Sequence, residues 1–560
     1  KLSPEGLALL RSTGFQVDVP PPPFSASDLL AAIPSYHALI VRSETKVTSA
    51  VLAAATKLRV VARAGVGVDN IDVDAATQHG VIVVNSPSGN IRAAAEHTIA
   101  LLLATARNVG RADGGMKQGK WERGKLVGVE VGRKTLGIVG FGKVGMQVAR
   151  MGKGLGMRVV VFDPYASEAV AKEAGVELRG ELAGLLPEVD FLTVHTPLLA
   201  STANLLGEKE LMGMKKTARV LNVARGGVYN EEALLKALDE GWIAGAGLDV
   251  FTSEPPVEES VAAKLAAHPK VVSTPHLGAS TVEAQENVSM DVCTQVVEIL
   301  RGGLPTAAVN APLILPEEYR RLQPFVKLIE RMGSLYTQHY ASERGGMVGG
   351  RRFELVYHGE LAGMSNTRPL FAALVKGLLS SISDLGGRDV NIVNATLMAR
   401  ERGIAIDEKH VRDGGAVPTY ASAVTLRSLA TDEGAGQGAA GEQVIEGYVS
   451  GNAVYISKVD RFTANFQPEG TLLVLHNYDE PGKIGNVGMV LGKHGVNINF
   501  MQVAAVEGGA RVVDGPVETA GGQAAREALM ILGVAGDVTE DVLGELGKAE
   551  GILAVSLVRL

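Results

Sequence analysis

Residues 134–145 read KTLGIVGFGKVG, and their reading decides the fold. A short apolar run, LGIV, enters a glycine turn and leaves it as the helical pattern KVGMQVARMGKGLG. The spacing Gly140-x-Gly142-x-x-Gly145 is weak by itself, but a preceding strand and a following helix are what dinucleotide binding requires. Gly140 suits the tight turn. Gly142 lets backbone N–H groups approach a pyrophosphate at the helix N-terminus, and Gly145 lets the helix lie close to the sheet. The next strand, MRVVVFDP (157–164), ends on Asp163, 18 residues after Gly145, where the fingerprint expects an acid after about 20. A carboxylate there suits ribose hydroxyls and repels a 2′-phosphate, so NAD is expected rather than NADP.

Working outward, the same rhythm of short Val/Ile/Ala strands and helical stretches runs through the first half of the chain. HALIVR (37–42), LRVVARA (58–64) and GVIVVN (80–85) precede the glycine turn; DFLTVHTP (190–197), ARVLNVA (218–224), GAGLDVF (245–251) and KVVSTPH (270–276) follow it. That is the β-α-β pattern of a parallel sheet. Residues 88–121 read as one long helix capped by Ser88 or Asn90, and 280–302 as another. The chain opens on a helix-like stretch with no strand before it, so a first strand is expected upstream. Its first residue is Lys1, so a cleaved targeting segment cannot be judged.

In open parallel sheets, ligands bind beyond the carboxyl ends of the strands. Three such ends carry chemistry: Arg225 in NVARGG, Asp249 and Glu254 in LDVFTSEPP, and His276 in TPHLGAST. Hydride removal from an alcohol carbon needs a base for the hydroxyl proton, and a neutral imidazole suits that near neutral pH. A carboxylate beside it orients the ring and stabilises its protonated form. A guanidinium can anchor a substrate carboxylate bidentately. Arg225 would thus hold the substrate, His276 would be the acid/base, and Glu254 would tune it. Asp249 is expected to contact the cofactor.

Composition fits this reading. The chain has 560 residues, so three or four domains are expected. A net charge of −7 argues against non-specific nucleic-acid binding. No apolar run reaches the ~20 residues of a membrane span. A single cysteine, Cys293, excludes a disulfide framework and fits a reducing compartment. No metal site is expected.

VGFGKVG, HTPL, NVARGG, LDVFTSEPP and TPHLGAST together resemble the NAD-dependent D-2-hydroxyacid dehydrogenases, and within them the long phosphoglycerate dehydrogenases of plant, algal and cyanobacterial type. VRSETKVT (41–48), RAGVGVDNIDV (63–73) and GKWER (119–123) extend the match over nearly the whole chain. The resemblance implies an α/β fold of two Rossmann-like, doubly wound lobes, the nucleotide lobe (89–277) inserted in the substrate lobe (1–88 and 278–305). It implies cofactor contacts from Gly140, Gly142, Lys143, Val144, Gly145, Asp163, Thr196, Val223, Ala224, Arg225, Asp249, His276, Gly278 and Ala279. Arg42, Lys46, Arg63, Gly65 and Arg225 would bind substrate, with Arg123 presented across a homo-oligomer, dimer or tetramer. A phosphorylated acid such as 3-phosphoglycerate carries roughly −3 charge and needs several cations.

Beyond Gly303 the texture changes. Residues 306–466 resemble the α+β intervening domain of the long enzymes, and VNIVNATLMARERGI (390–404) is its most recognisable part. It shows no catalytic constellation. HNYDEPGKIGNVGMVLGKHGVNINFMQV (476–503) resembles the start of an ACT domain, a βαββαβ ligand-sensing fold, here 470–560. The resemblance implies an L-serine effector site lined by Asn477, Asp479 and Asn497 between paired modules. An unusually long link, 506–527, separates its second and third strands. A plastid stroma is the expected compartment, with the cytoplasm as alternative. Two other readings stay open: a dehydrogenase of another 2-hydroxy acid, such as glyoxylate or hydroxypyruvate, and a non-catalytic NADH-sensing co-regulator.

Overall fold

The structure is a computed structural model that describes residues 2–21, 23–312, 314–344, 351–382, 390–412, 421–429, 443–505 and 527–560. The Gly/Ala-rich loop 432–442 and the long link after residue 505 lie outside the described residues, apart from Glu527 at the link's end.

Three parallel strands, β1 (Ala38–Val41), β2 (Val60–Arg63) and β3 (Ile82–Asn85), form the first sheet in the order β1-β2-β3. The helix Val282–Leu300, capped by Thr281, packs on one face through Val288, Val292, Cys293 and Val296. Residues more than 200 positions apart thus share one core.

Seven parallel strands follow: β4 (Thr135–Val139), β5 (Arg158–Phe162), β6 (Glu177–Arg179), β7 (Phe191–Val194), β8 (Arg219–Asn222), β9 (Gly245–Leu248) and β10 (Val271–Ser273). Their order is β10-β9-β8-β7-β4-β5-β6. Both faces are covered by helices, and β4 and β7 are apolar along their whole length or nearly so, as a doubly covered parallel sheet demands. Winding reverses between β4 and β7, which opens a crevice at their carboxyl ends. The short β6 was not anticipated; at three residues, two of them charged, it lacks an apolar signature.

The single helix expected over 88–121 is two. The first, Ile91–Ala106, crosses from β3 into the seven-stranded half and buries Ala95, Leu101, Leu102 and Ala106 there. The chain then turns at Asn108 with φ 55°, a left-handed backbone that Asn tolerates better than most residues, and Asn108 Nδ2 donates to the carbonyls of Leu126 and Val127. A second helix, Val109–Lys117, follows. Asn90 occupies the N-cap position but makes no side-chain cap, and Ser88 instead accepts a hydrogen bond from Lys143 Nζ at 3.0 Å.

The next sheet has the order β12-β11-β13-β14-β15-β16, built from β11 (Arg352–Gly359), β12 (Ala405–Val411), β13 (Ser422–Leu429), β14 (Gln443–Ser450), β15 (Ala453–Val459) and β16 (Phe462–Phe466). The helices Pro316–Arg344 and Arg368–Leu379 pack on it. The last sheet is antiparallel, β18-β19-β17-β20, from β17 (Thr471–Tyr478), β18 (Asn497–Ala505), β19 (Glu527–Ala535) and β20 (Ile552–Arg559). Helices Lys483–Lys493 and Glu540–Gly547 complete a βαββαβ order. Strand periodicity divides its two faces. Leu473 and Leu475 sit under those two helices, whereas Leu472 and Val474 join the core of the preceding module. The two C-terminal modules therefore share one apolar interior.

Candidate active site

The glycine turn leaves β4 at the crevice. Gly140 has φ +94°, and a Cβ there would stand 2.7 Å from His195 O, on the exit of β7. A Cβ on Gly145 would overlap Gly140 O, so the helix Lys143–Gly154 can approach the turn only with glycine at that position. Gly142 differs: its backbone is extended, and a Cβ would meet no atom of the described residues within 4 Å. Nothing internal demands glycine there, which fits a ligand approaching the amides from outside. Asp163 holds this cradle together, accepting hydrogen bonds from Phe141 N–H at 2.7 Å and Tyr165 N–H at 2.8 Å. Thr196 Oγ1 is buried in the same crevice without a hydrogen-bond partner among the described residues. A backbone cradle open at Gly142, a strand-end carboxylate and a buried hydroxyl without a partner among the described residues fit a dinucleotide. Lys143 and Val144 open the helix behind the turn.

At the end of β8, Asn222 braces the turn: its Nδ2 donates to Arg225 O at 2.8 Å and its Oδ1 accepts from Ala224 N–H at 3.0 Å. Val223 and Ala224 line this turn, and Gly226 must be glycine because a Cβ would overlap the Phe251 carbonyl group. The Arg225 guanidinium lies across the cleft, its Nε 3.4 Å from Asp69 Oδ2 on the loop after β2. Arg63 joins it from the end of β2. Burial, then the neighbouring cations Arg225 and Arg42, push Arg63 below the usual arginine range, while Asp69 opposes. Three guanidinium groups therefore converge. Gly65, at φ +148°, leaves the space that the Arg63 guanidinium fills. Lys46 is exposed on the loop after β1 and makes no ion pair among the described residues. Arg123 sits in the exposed turn Arg123–Leu126, and no hydrogen bond or ion pair among the described residues joins it to the cluster.

Glu254 and His276 meet from the ends of β9 and β10. His276 Nδ1 lies 2.7 Å from Glu254 Oε2, and Glu254 Oε1 accepts from Phe251 N–H at 3.0 Å. The hydrogen bond with Glu254 raises the His276 pKa; burial and Arg225 oppose, and the charges of Glu254 and Asp249 reinforce the rise. Burial alone would raise Glu254, but the hydrogen bonds from His276 and Phe251 outweigh it and leave it below the usual carboxylate range. His276 has φ +55° and donates its N–H to Asp249 O at 2.9 Å and Thr274 O at 3.0 Å.

Asp249 is 1% exposed. Its carboxylate accepts from the Leu277 and Gly278 N–H groups at 2.7 and 2.8 Å and from the Thr274 hydroxyl at 2.5 Å. Burial would raise its pKa, yet these bonds, with His97, keep it low. It thus carries the turn that presents His276 and leads into Ala279. Sequence reasoning missed His97, Thr274 and Asp69. His97 alone left a signal: it falls at i+4 from Ala93 and i−4 from Leu101, on the buried stripe of an Ala/Leu helix.

In the C-terminal sheet, Asn477 is buried, donating to Tyr478 O at 2.8 Å with its Oδ1 unsatisfied among the described residues. Asp479 is exposed ahead of the turn at Gly482. Asn497 is exposed at the start of the edge strand β18 and bonds Asn499 at 3.1 Å. Asn477 and Asn497 lie on β17 and β18, which β19 separates in the sheet.

Residues 99–278 match the sequence profile of the D-isomer specific 2-hydroxyacid dehydrogenase NAD binding domain. Residues 321–443 match that of the D-3-phosphoglycerate dehydrogenase intervening domain. The chain is 39% identical over 558 residues to D-3-phosphoglycerate dehydrogenase of Synechocystis, covering 99% of this chain and 93% of that one. It is 40% identical to the chloroplastic D-3-phosphoglycerate dehydrogenase 3 of Arabidopsis thaliana, over 94% of this chain and 86% of that protein. The Archaeoglobus fulgidus D-3-phosphoglycerate dehydrogenase is 39% identical, over 100% of this chain and 98% of that one. Among solved structures, the TT0316 protein of Thermus thermophilus aligns with a TM-score of 0.51 and 33% identity, over 55% of this chain and 97% of that one.

Proposed function

This chain belongs to the D-3-phosphoglycerate dehydrogenases, within the NAD-dependent D-isomer specific 2-hydroxyacid dehydrogenases, and on that premise we propose how its own residues carry the reaction. The enzyme oxidises 3-phospho-D-glycerate to 3-phosphohydroxypyruvate with NAD, the entry step of the phosphorylated route to L-serine. NAD, when bound, accepts the hydride.

Arg225 anchors the substrate carboxylate, as a guanidinium on a braced, glycine-bounded turn can do bidentately. Arg63 and Arg42 meet the remaining negative charge. Neutral His276 takes the hydroxyl proton through Nε2, because Nδ1 is committed to Glu254. Glu254 then holds the imidazolium that results. Asp163 and the cradle of Gly140, Gly142 and Gly145 hold the dinucleotide, with Lys143, Val144, Thr196, Val223, Ala224, Asp249, Gly278 and Ala279 around it. The observation that carries this reading is the His276–Glu254 pair at 2.7 Å opposite Arg225.

The proposed domain division is 1–88 with 278–305 for substrate, 89–277 for NAD, 306–466 intervening and 470–560 regulatory. A second copy docks beside the helix Val109–Lys117, where Trp121 and Val127 are 79% and 81% exposed, and receives Arg123. L-Serine binds between paired C-terminal modules at Asn477, Asp479 and Asn497. The chloroplastic Arabidopsis relatives support a plastid stroma, with the cytoplasm as alternative. No helix among the described residues is long and apolar enough to cross a membrane.

The test is NADH formation from 3-phospho-D-glycerate at alkaline pH, with and without L-serine, alongside His276→Ala. The expected result is turnover suppressed by serine and an inert variant that still binds NAD. Turnover indifferent to serine would reduce the C-terminal module to an assembly element; wild-type turnover in His276→Ala would remove the base.

A further inference from the structure

Asp249 carries the turn that presents His276, yet its carboxylate is itself held from outside that turn. His97 reaches it from the helix Ile91–Ala106, the segment that crosses from the three-stranded into the seven-stranded half. His97 Nε2 lies 3.0 Å from Thr274 Oγ1 and 3.2 Å from Asp249 Oδ1. The Thr274 hydroxyl donates to that same Oδ1. With its only hydrogen committed, the Thr274 oxygen can only accept, and so can the carboxylate. Both partners therefore assign the proton: His97 is an Nε2–H donor to each. On the far side, Asp249 grips the backbone of Leu277 and Gly278. His276 stands between these anchors in a left-handed conformation that persists only where the surroundings impose it.

We propose that His97 is a positioning residue for the catalytic base, its Nε2–H fixing Asp249 and Thr274 and, through them, the turn that aims His276 at Glu254 and the substrate. This rests on His276 being the base. The charged groups facing His276 are Glu254, Asp249 and Arg225, and the titratable group facing Asp249 from the helix is His97. Without the His97 donor the Asp249 carboxylate keeps its bonds to Thr274, Leu277 and Gly278 but loses its tie to the helix, and the His276–Glu254 contact slackens. His276 then loses the hydrogen bond that most favours its protonated form and becomes a weaker base.

Three variants of the full chain test this. His97→Leu removes the donor at similar volume. His97→Gln can place an amide nitrogen near the imidazole Nε2. Thr274→Val removes one of the two acceptors of that donor, and the hydroxyl that bonds Asp249, without touching the helix. Each is assayed for NADH formation from 3-phosphoglycerate across pH, with thermal unfolding alongside. His97→Leu and Thr274→Val should lower kcat on the order of tenfold, the scale of losing one hydrogen bond to a charged group. Their acid limb should move to lower pH, and His97→Gln should recover most of both. A wild-type limb in His97→Leu, or equal losses in the Leu and Gln variants, overturns the proposal. Should His97→Leu fail to fold, Thr274→Val carries the same readout. His276→Ala separates the premise: turnover there removes the base, whereas an inert His276→Ala with an unmoved limb in His97→Leu removes His97 alone.

Discussion

Glu254→Gln is the most informative single change at this site. The carboxylate accepts twice, from Phe251 N–H at 3.0 Å and from His276 Nδ1–H at 2.7 Å. A carboxamide of the same shape has one accepting oxygen, so it can satisfy only one of these donors. The backbone N–H is the less movable, so the contact to His276 is the one lost. A hydrogen bond to a charged group is worth about 1.5–3 kcal/mol. The two side chains are 44% and 36% exposed, which places this pair at the lower end after solvent screening. About 1.4 kcal/mol corresponds to roughly tenfold in kcat/KM. The sign follows from the His276 shift. Glu254 raises that pKa, so Glu254→Gln lowers it. Oxidation needs neutral His276 and rises with pH, so its acid limb moves to lower pH. Reduction needs the imidazolium and falls with pH, so its descending limb also moves down. Reduction at mildly alkaline pH is therefore lost more than oxidation. Initial rates in both directions, from about pH 5.5 to about 9.5, read both limbs. An unmoved or raised limb would refute the coupling of Glu254 to His276, whatever happened to the plateau rate.

Three further outcomes are expected. Asp163→Ala deletes the acceptor of the Phe141 and Tyr165 N–H groups as well as the proposed ribose contact, so KM for NAD should rise at least tenfold and the preference over NADP should shrink; unchanged cofactor preference sinks that role. Gly145→Ala forces a Cβ into Gly140 O, where both partners are backbone; denaturant unfolding should show a loss of about 1–3 kcal/mol together with weaker NAD binding, and wild-type values of both would contradict the close approach. Asp69→Asn removes the carboxylate that competes for Arg225, so KM for 3-phosphoglycerate should fall about two- to fivefold at low salt and the gain should vanish at high salt; a KM unchanged at every salt concentration rules out the competition.

Much of this was legible in the chain because each signal was local. The glycine spacing, the strand before it and Asp163 after it lie within 30 residues, and the pattern needs no distant partner to be recognised. The strand-end positions of Arg225, Glu254 and His276 were equally readable, since a parallel sheet sends all its carboxyl ends to one side. What a one-dimensional pattern cannot carry is company. Asp249 reads as a cofactor residue from its strand end, but tertiary structure surrounds its carboxylate with Thr274, two backbone amides and a histidine 152 positions away. Asp69 is a loop acid in the sequence and an ion-pair partner of Arg225 only because two sheets face each other across a cleft. The break at Asn108 escaped because a left-handed residue interrupts a helix without changing its composition. The resemblance makes Asn477 an effector residue; that it is buried, with its Oδ1 unpartnered among the described residues, is visible only in the tertiary structure. Local spacing decided the fold and the candidate site residues; long-range packing decided which of them are held, and by what.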